Sequence, residues 1–92
     1  MESNEISLHQ LKVFEFVRQA GRWVTSAEIQ EGAGVAARTA RHHALNLVKL
    51  GLFDQAEVFP CHRYRLSQFA EQRNKGYMLR LAQARDVFGE VA

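Results

Sequence analysis

From Leu8 to Ala20 the apolar residues recur at helical spacing. Leu11, Val13, Phe14, Phe16 and Val17 cover a broad arc at ~100° per residue, and Lys12, Glu15, Arg18 and Gln19 fill the remainder. Ser7 in front and Gly21 behind supply a cap and a stop. The arc is wider than a surface helix needs, so the helix is either clamped between two neighbours or turned partly towards another subunit. Arg22-Trp23-Val24-Thr25 is aromatic and β-branched, enough for a stub of strand. Thr25-Ser26-Ala27-Glu28 then reads as a capping box opening a brief helix, about 26–31. That helix stops in Gly32-Ala33-Gly34, where glycine allows the positive φ of a tight reversal.

A third helix is predicted over 36–50, and its projection separates two faces. Ala36, Ala40, Ala44, Leu47, Leu50 and His43 lie on one; Arg38, Arg41, His42, Leu45 and Lys49 lie on the other. The first face is mostly alanine and permits close approach to the preceding helix. Leu52–Phe59 and His62–Leu66 read as two strands around a turn at Phe59-Pro60-Cys61-His62. Alternation puts Tyr64 and Leu66 on one side of that hairpin, Arg63 and Arg65 on the other. From Ser67 to Phe88 the pattern is helical again, with Ala70, Tyr77 and Ala84 seven apart and Asn74, Leu81 and Phe88 likewise. Gly76 inside this tail costs ~1 kcal/mol relative to alanine and marks the expected break.

Composition narrows the class. With 47% hydrophobic and 24% charged residues in a chain of 92, a packed globular fold is expected rather than disorder. No apolar run approaches the roughly 18 residues of a membrane span. The acidic start, Met1-Glu2-Ser3-Asn4-Glu5, is unlike a secretory leader, and the lone Cys61 cannot form an internal disulfide. A cytoplasmic protein is expected. The net charge of +2 is small but unevenly spread. Residues 38–65 set Arg38, Arg41, Lys49, Arg63 and Arg65 against Asp54 and Glu57, a local excess of +3, whereas 1–37 net −2. A basic middle third on a nearly neutral chain points to one face made for a polyanion.

Three phrases in this order resemble the core of the winged helix-turn-helix family of small bacterial DNA-binding regulators. They are Thr25-Ser26-Ala27-Glu28-Ile29, then Gly34-Val35-Ala36-Ala37-Arg38-Thr39-Ala40-Arg41, then Leu47-Val48-Lys49-Leu50-Gly51-Leu52. The resemblance covers about Leu8 to Leu66. It implies an α+β winged helix-turn-helix, a three-helix core with a two-stranded β wing, over 1–66, followed by a C-terminal helix over 67–92. It implies a regulator that reads double-stranded DNA with helix 36–50 in the major groove and wing 52–66 on the backbone or minor groove. Family members commonly cap the recognition helix with serine or threonine; Ala36 here forgoes ~1 kcal/mol of capping.

The expected DNA contacts are Ala37, Arg38, Thr39, Arg41, His42 and Lys49 on the helix and His62, Arg63 and Arg65 on the wing. Arginine presents a bidentate fork to guanine, so Arg38 and Arg41 are the base readers. Wing cations add affinity more than specificity. Tyr77, Leu81, Ala84 and Phe88 form a short seam, either a homodimer contact or packing on the chain's own core. His43 is expected to be a satisfied histidine of the core face. His42 and His43 diverge by ~100° on a helix, and neither joins Cys61 and His62 in a metal-ligand spacing, so no metal or cofactor is expected. There is no nucleophile elbow and no phosphate loop, and Gly32-Ala33-Gly34 belongs to the helix-turn-helix turn, so no enzyme is expected. A chain this short leaves control to concentration, a partner or a very small effector. The alternative function is a winged-helix interaction module whose basic face meets an acidic protein.

Overall fold

The computed structural model describes residues 6–58 and 61–88. Helix α1 (Leu8–Ala20) begins where expected: the Ser7 hydroxyl accepts from the Gln10 amide at 3.1 Å, and Gly21 ends it in the left-handed region. After strand β1 (Val24–Thr25), helix α2 (Ser26–Ala33) opens with the anticipated capping box. The Glu28 amide donates to the Thr25 hydroxyl at 3.2 Å, and the Thr25 amide donates to the Glu28 carboxylate at 2.9 Å. Helix α3 (Ala37–Lys49) follows, then strands β2 (Phe53–Val58) and β3 (Cys61–Leu66), the single turn α4 (Ala70–Arg73) and helix α5 (Lys75–Phe88).

The broad arc of α1 is accounted for within the chain. Leu11, Val13, Phe14 and Val17 are buried, with α2, α3, β3 and α5 packed around the helix. Phe14 stacks on Phe53 with centroids 6.1 Å apart, joining α1 to β2. Opposite, Ala40, Ala44 and Leu47 of α3 lie fully buried, as a small-residue face allows. The antiparallel sheet has the order β1-β3-β2. Its hairpin register runs from Phe53↔Leu66 to Val58↔Cys61, and β1 adds Val24↔Tyr64 and Thr25↔Arg63. The stub strand therefore makes a third strand at the root of the two-stranded wing. Phe59 and Pro60, the first half of the expected turn, lie outside the described residues.

The end of α2 and the course of the tail differ most from the sequence expectation, each for a physical reason. Helix α2 runs through Gly32 to Ala33, and Gly34 alone makes the turn, with φ of 71°. Inside the helix residue 32 has to be glycine, because the Phe16 ring occupies the space a Cβ would need. The tail is not helical from Ser67. The Ser67 amide extends the strand by donating to the Leu52 carbonyl at 2.8 Å, and its hydroxyl accepts from the Phe69 amide. The helix then breaks at Asn74, not at Gly76. The Asn74 carboxamide donates to the Leu50 carbonyl at 3.1 Å and accepts from the Tyr77 amide at 3.2 Å. It thus tethers the end of α3 while capping α5.

Candidate nucleic-acid interface

Helix α3 presents its polar face outward. Ala37, Arg38, Arg41, His42 and Lys49 are exposed, and Thr39 is half-buried at the edge of the face. Leu45, projected among them, turns instead onto the core. Ala36 takes the extended backbone of an N-cap (φ −67°, ψ 156°) but offers no side-chain bond, so the first amides of α3 have no side-chain cap. Lys49 sits in the last turn, about 17 Å along the axis from Arg38 at 1.5 Å per residue. It lies with the negative end of the helix dipole rather than with the helix start.

The wing residues do not form one group. His62 and Tyr64 share the strand face turned towards α3, and Gln55 joins them across the hairpin in register with Tyr64. The Gln55 amide lies 3.2 Å from His62 Nδ1. Burial raises the Tyr64 phenol above its ordinary range, opposed by Arg41 and by a hydrogen bond with Gln55. Arg41, Gln55 and His62 therefore border one surface, between α3 and the wing. Gln55 was missed in the sequence, although strict alternation from buried Phe53 places it on that side.

Arg63 and Arg65 point the opposite way. Arg65 donates its Nε to Asp54 at 3.2 Å, and its guanidinium lies 4.4 Å from the centre of the Trp23 ring. Arg63 is exposed and contributes to lowering the Glu28 carboxyl, whose main cause is the bond from the Thr25 amide. The expected set thus divides into an α3-facing group with His62 and a back-of-sheet pair.

His43 is half-buried rather than satisfied: among the described residues, its Nδ1 has no partner. The ring meets His42 edge-on at 5.1 Å. Burial holds its pKa below the ordinary value, reinforced by His42 and by His9 of α1. Among the described residues, no group of three His, Cys, Asp or Glu is arranged to hold a metal ion.

The seam of the tail turns inward over most of its length. Leu81 is 1% exposed, and Tyr77 and Ala84 pack against the same core. Phe88 is 43% exposed, and Leu79 and Val87 also face outward from α5. Among the described residues, no helix is long and apolar enough to cross a membrane.

A helix-strand-helix-turn-helix core carrying a hairpin over its third helix is a known architecture. The fold is a winged helix. Solved structures similar to the chain include the ST1889 protein of the archaeon Sulfolobus tokodaii, with a TM-score of 0.68 at 18% identity, covering 92% of this chain and 85% of that one. The PcaV transcriptional regulator of Streptomyces coelicolor gives 0.66 at 21% identity, over 96% of this chain and 64% of PcaV. The multiple antibiotic resistance repressor MarR gives 0.62 at 16% identity, over 91% and 64%. The chain therefore spans most of ST1889 but just under two thirds of the two regulators. No family model and no curated protein matches the sequence.

Proposed function

We propose that the chain is a sequence-specific regulator that binds double-stranded DNA as a homodimer, with α3 in the major groove. The observation that carries this reading is the exposed row Arg38, Arg41 and His42 at the start of α3, beside a helix end without a side-chain cap. Arg38 and Arg41 read guanine edges through their bidentate forks. Ala37 and Thr39 bring backbone and hydroxyl close to phosphate, and His42, Lys49, His62 and Arg63 supply further polar or cationic contacts. Arg65, held by Asp54 and Trp23 at the root of the wing, contributes through its field more than by contact. The likeness in fold to the regulators PcaV and MarR supports a regulatory role over an enzymatic one. Dimerisation is supported by Leu79, Val87 and Phe88, three large apolar side chains exposed along α5.

The test is selection from random duplex DNA at two salt concentrations, with Arg38→Ala/Arg41→Ala in parallel. An enriched two-fold motif, weakened by salt and lost in the double variant, is the expected result. Salt-insensitive, unenriched binding would overturn this reading and assign the basic face to an acidic protein partner.

A further inference from the structure

The end of α1, the link that follows it and the end of β3 border an open cleft of about 290 Å³. It is lined by Arg18, Gly21, Arg22, Arg65, Leu66 and Gln68. Three arginines thus line one concavity from three separate positions in the chain. We propose that this cleft binds a small organic anion, a carboxylate or a phosphate ester, gripped by Arg18, Arg22 and Arg65. The inference shares Arg65 with the DNA-binding reading but does not depend on it, because the contacts of α3 that carry that reading lie outside the cleft.

The charge balance favours an anion there. Arg18 spends Nε and one terminal nitrogen on Glu15, Arg65 spends Nε on Asp54, and Arg22 spends one terminal nitrogen on the Trp23 carbonyl and Glu28. Each keeps N–H groups that the described residues do not engage. Moreover, Glu15 also serves Arg85 and Asp54 also serves Arg73. Three carboxylates, Glu15, Glu28 and Asp54, answer five guanidiniums, so Glu15 and Asp54 are each shared with an arginine outside the cleft. Planar guanidinium forks match carboxylate and phosphate oxygens, and Arg65 is already held over the Trp23 ring. The volume lies near the lower bound of small-molecule sites, about 300 Å³. Leu66 supplies an apolar wall and the Gln68 carboxamide a neutral partner. A bound anion would link α1 to the strand that carries the wing.

Trp23 is the sole tryptophan and lies against Arg65 of the cleft, so its fluorescence reports changes at that arginine. The experiment titrates the full chain with benzoate and, separately, with inorganic phosphate at constant ionic strength, using neutral benzamide as control. Saturable change with either anion and none with benzamide is expected; the preferred anion tells carboxylate from phosphate recognition. Arg22→Gln, an exposed substitution that leaves the Arg65–Trp23 stack in place, should weaken the response at least about tenfold. Circular dichroism checks that this variant folds. No saturation with either anion, equal saturation by benzamide, or unchanged affinity in folded Arg22→Gln would each overturn the proposal.

Discussion

At the scale of single residues, Gly32 has a role that its neighbours in the turn do not share. A glycine inside a helix ordinarily gives way to alanine with a gain of about 1 kcal/mol. Here the added methyl meets the Phe16 ring, which is packed against the core. Gly32→Ala is therefore expected to destabilise the protein by about 1–3 kcal/mol, the usual range for overpacking. Combining it with Phe16→Leu should recover part of that loss, measured as a non-additive double-mutant cycle in urea unfolding. A stabilised single variant would show that the ring yields freely. Asn74 is a second residue whose role depends on its partners: the same carboxamide ends one helix contact and begins another helix.

At the scale of elements, α5 combines an inner apolar anchor, an ion-paired clamp and an outer apolar face. Leu81 enters the core, and Glu15, 2% exposed, accepts from Arg18 through one oxygen and from Arg85 of α5 through the other. Burial alone would raise the Glu15 pKa, but the hydrogen bonds and charges of the two arginines lower it overall. Leu81→Ala should cost about 2–5 kcal/mol of folding stability, because it empties a closed site. Phe88→Ala should change monomer stability by no more than about 0.5 kcal/mol, as exposed substitutions generally do. If α5 pairs with its copy, Phe88→Ala will instead lower the dimer fraction in sedimentation. Equal stability losses in the two variants would contradict this division of the helix.

At the scale of the whole molecule, half-buried His43 and buried Glu15 give the fold a response to acid. The folded-state pKa of His43 lies below its ordinary 6.5, so the unfolded chain takes up that proton first as pH falls. Its contribution is complete above about pH 6.5 and is lost progressively below it. Glu15, likewise depressed from 4.5, holds its contribution above that pH and loses it as the solution falls through the lowered value. Thermal unfolding is therefore expected to fall in two successive stages on acidification. His43→Leu should abolish the upper stage and leave the lower one, and a variant with an unaltered upper stage would rule His43 out as its origin.

Much of this protein is local chemistry and was legible in the chain itself. The bounds of α1, the capping box of α2, the α3 register and the wing strands follow from caps, glycine stops and the two hydrophobic periods, which act over a few residues. The exposed row Arg38, Arg41 and His42 was legible for the same reason, because helical projection needs no tertiary partner. Tertiary structure decided what depends on distant neighbours. It put Gly32 against Phe16, broke the tail at Asn74 through the Leu50 carbonyl, and left His43 half-buried without its bond. It turned Tyr77, Leu81 and Ala84 onto the core and brought the Tyr64 side of the wing, rather than the Arg63 and Arg65 side, towards Arg41 of α3. Alternation identifies which residues share a strand face, but only packing determines which face meets α3. For that reason the cleft of Arg18, Arg22 and Arg65, drawn from two elements and the link between them, has no signature in sequence order.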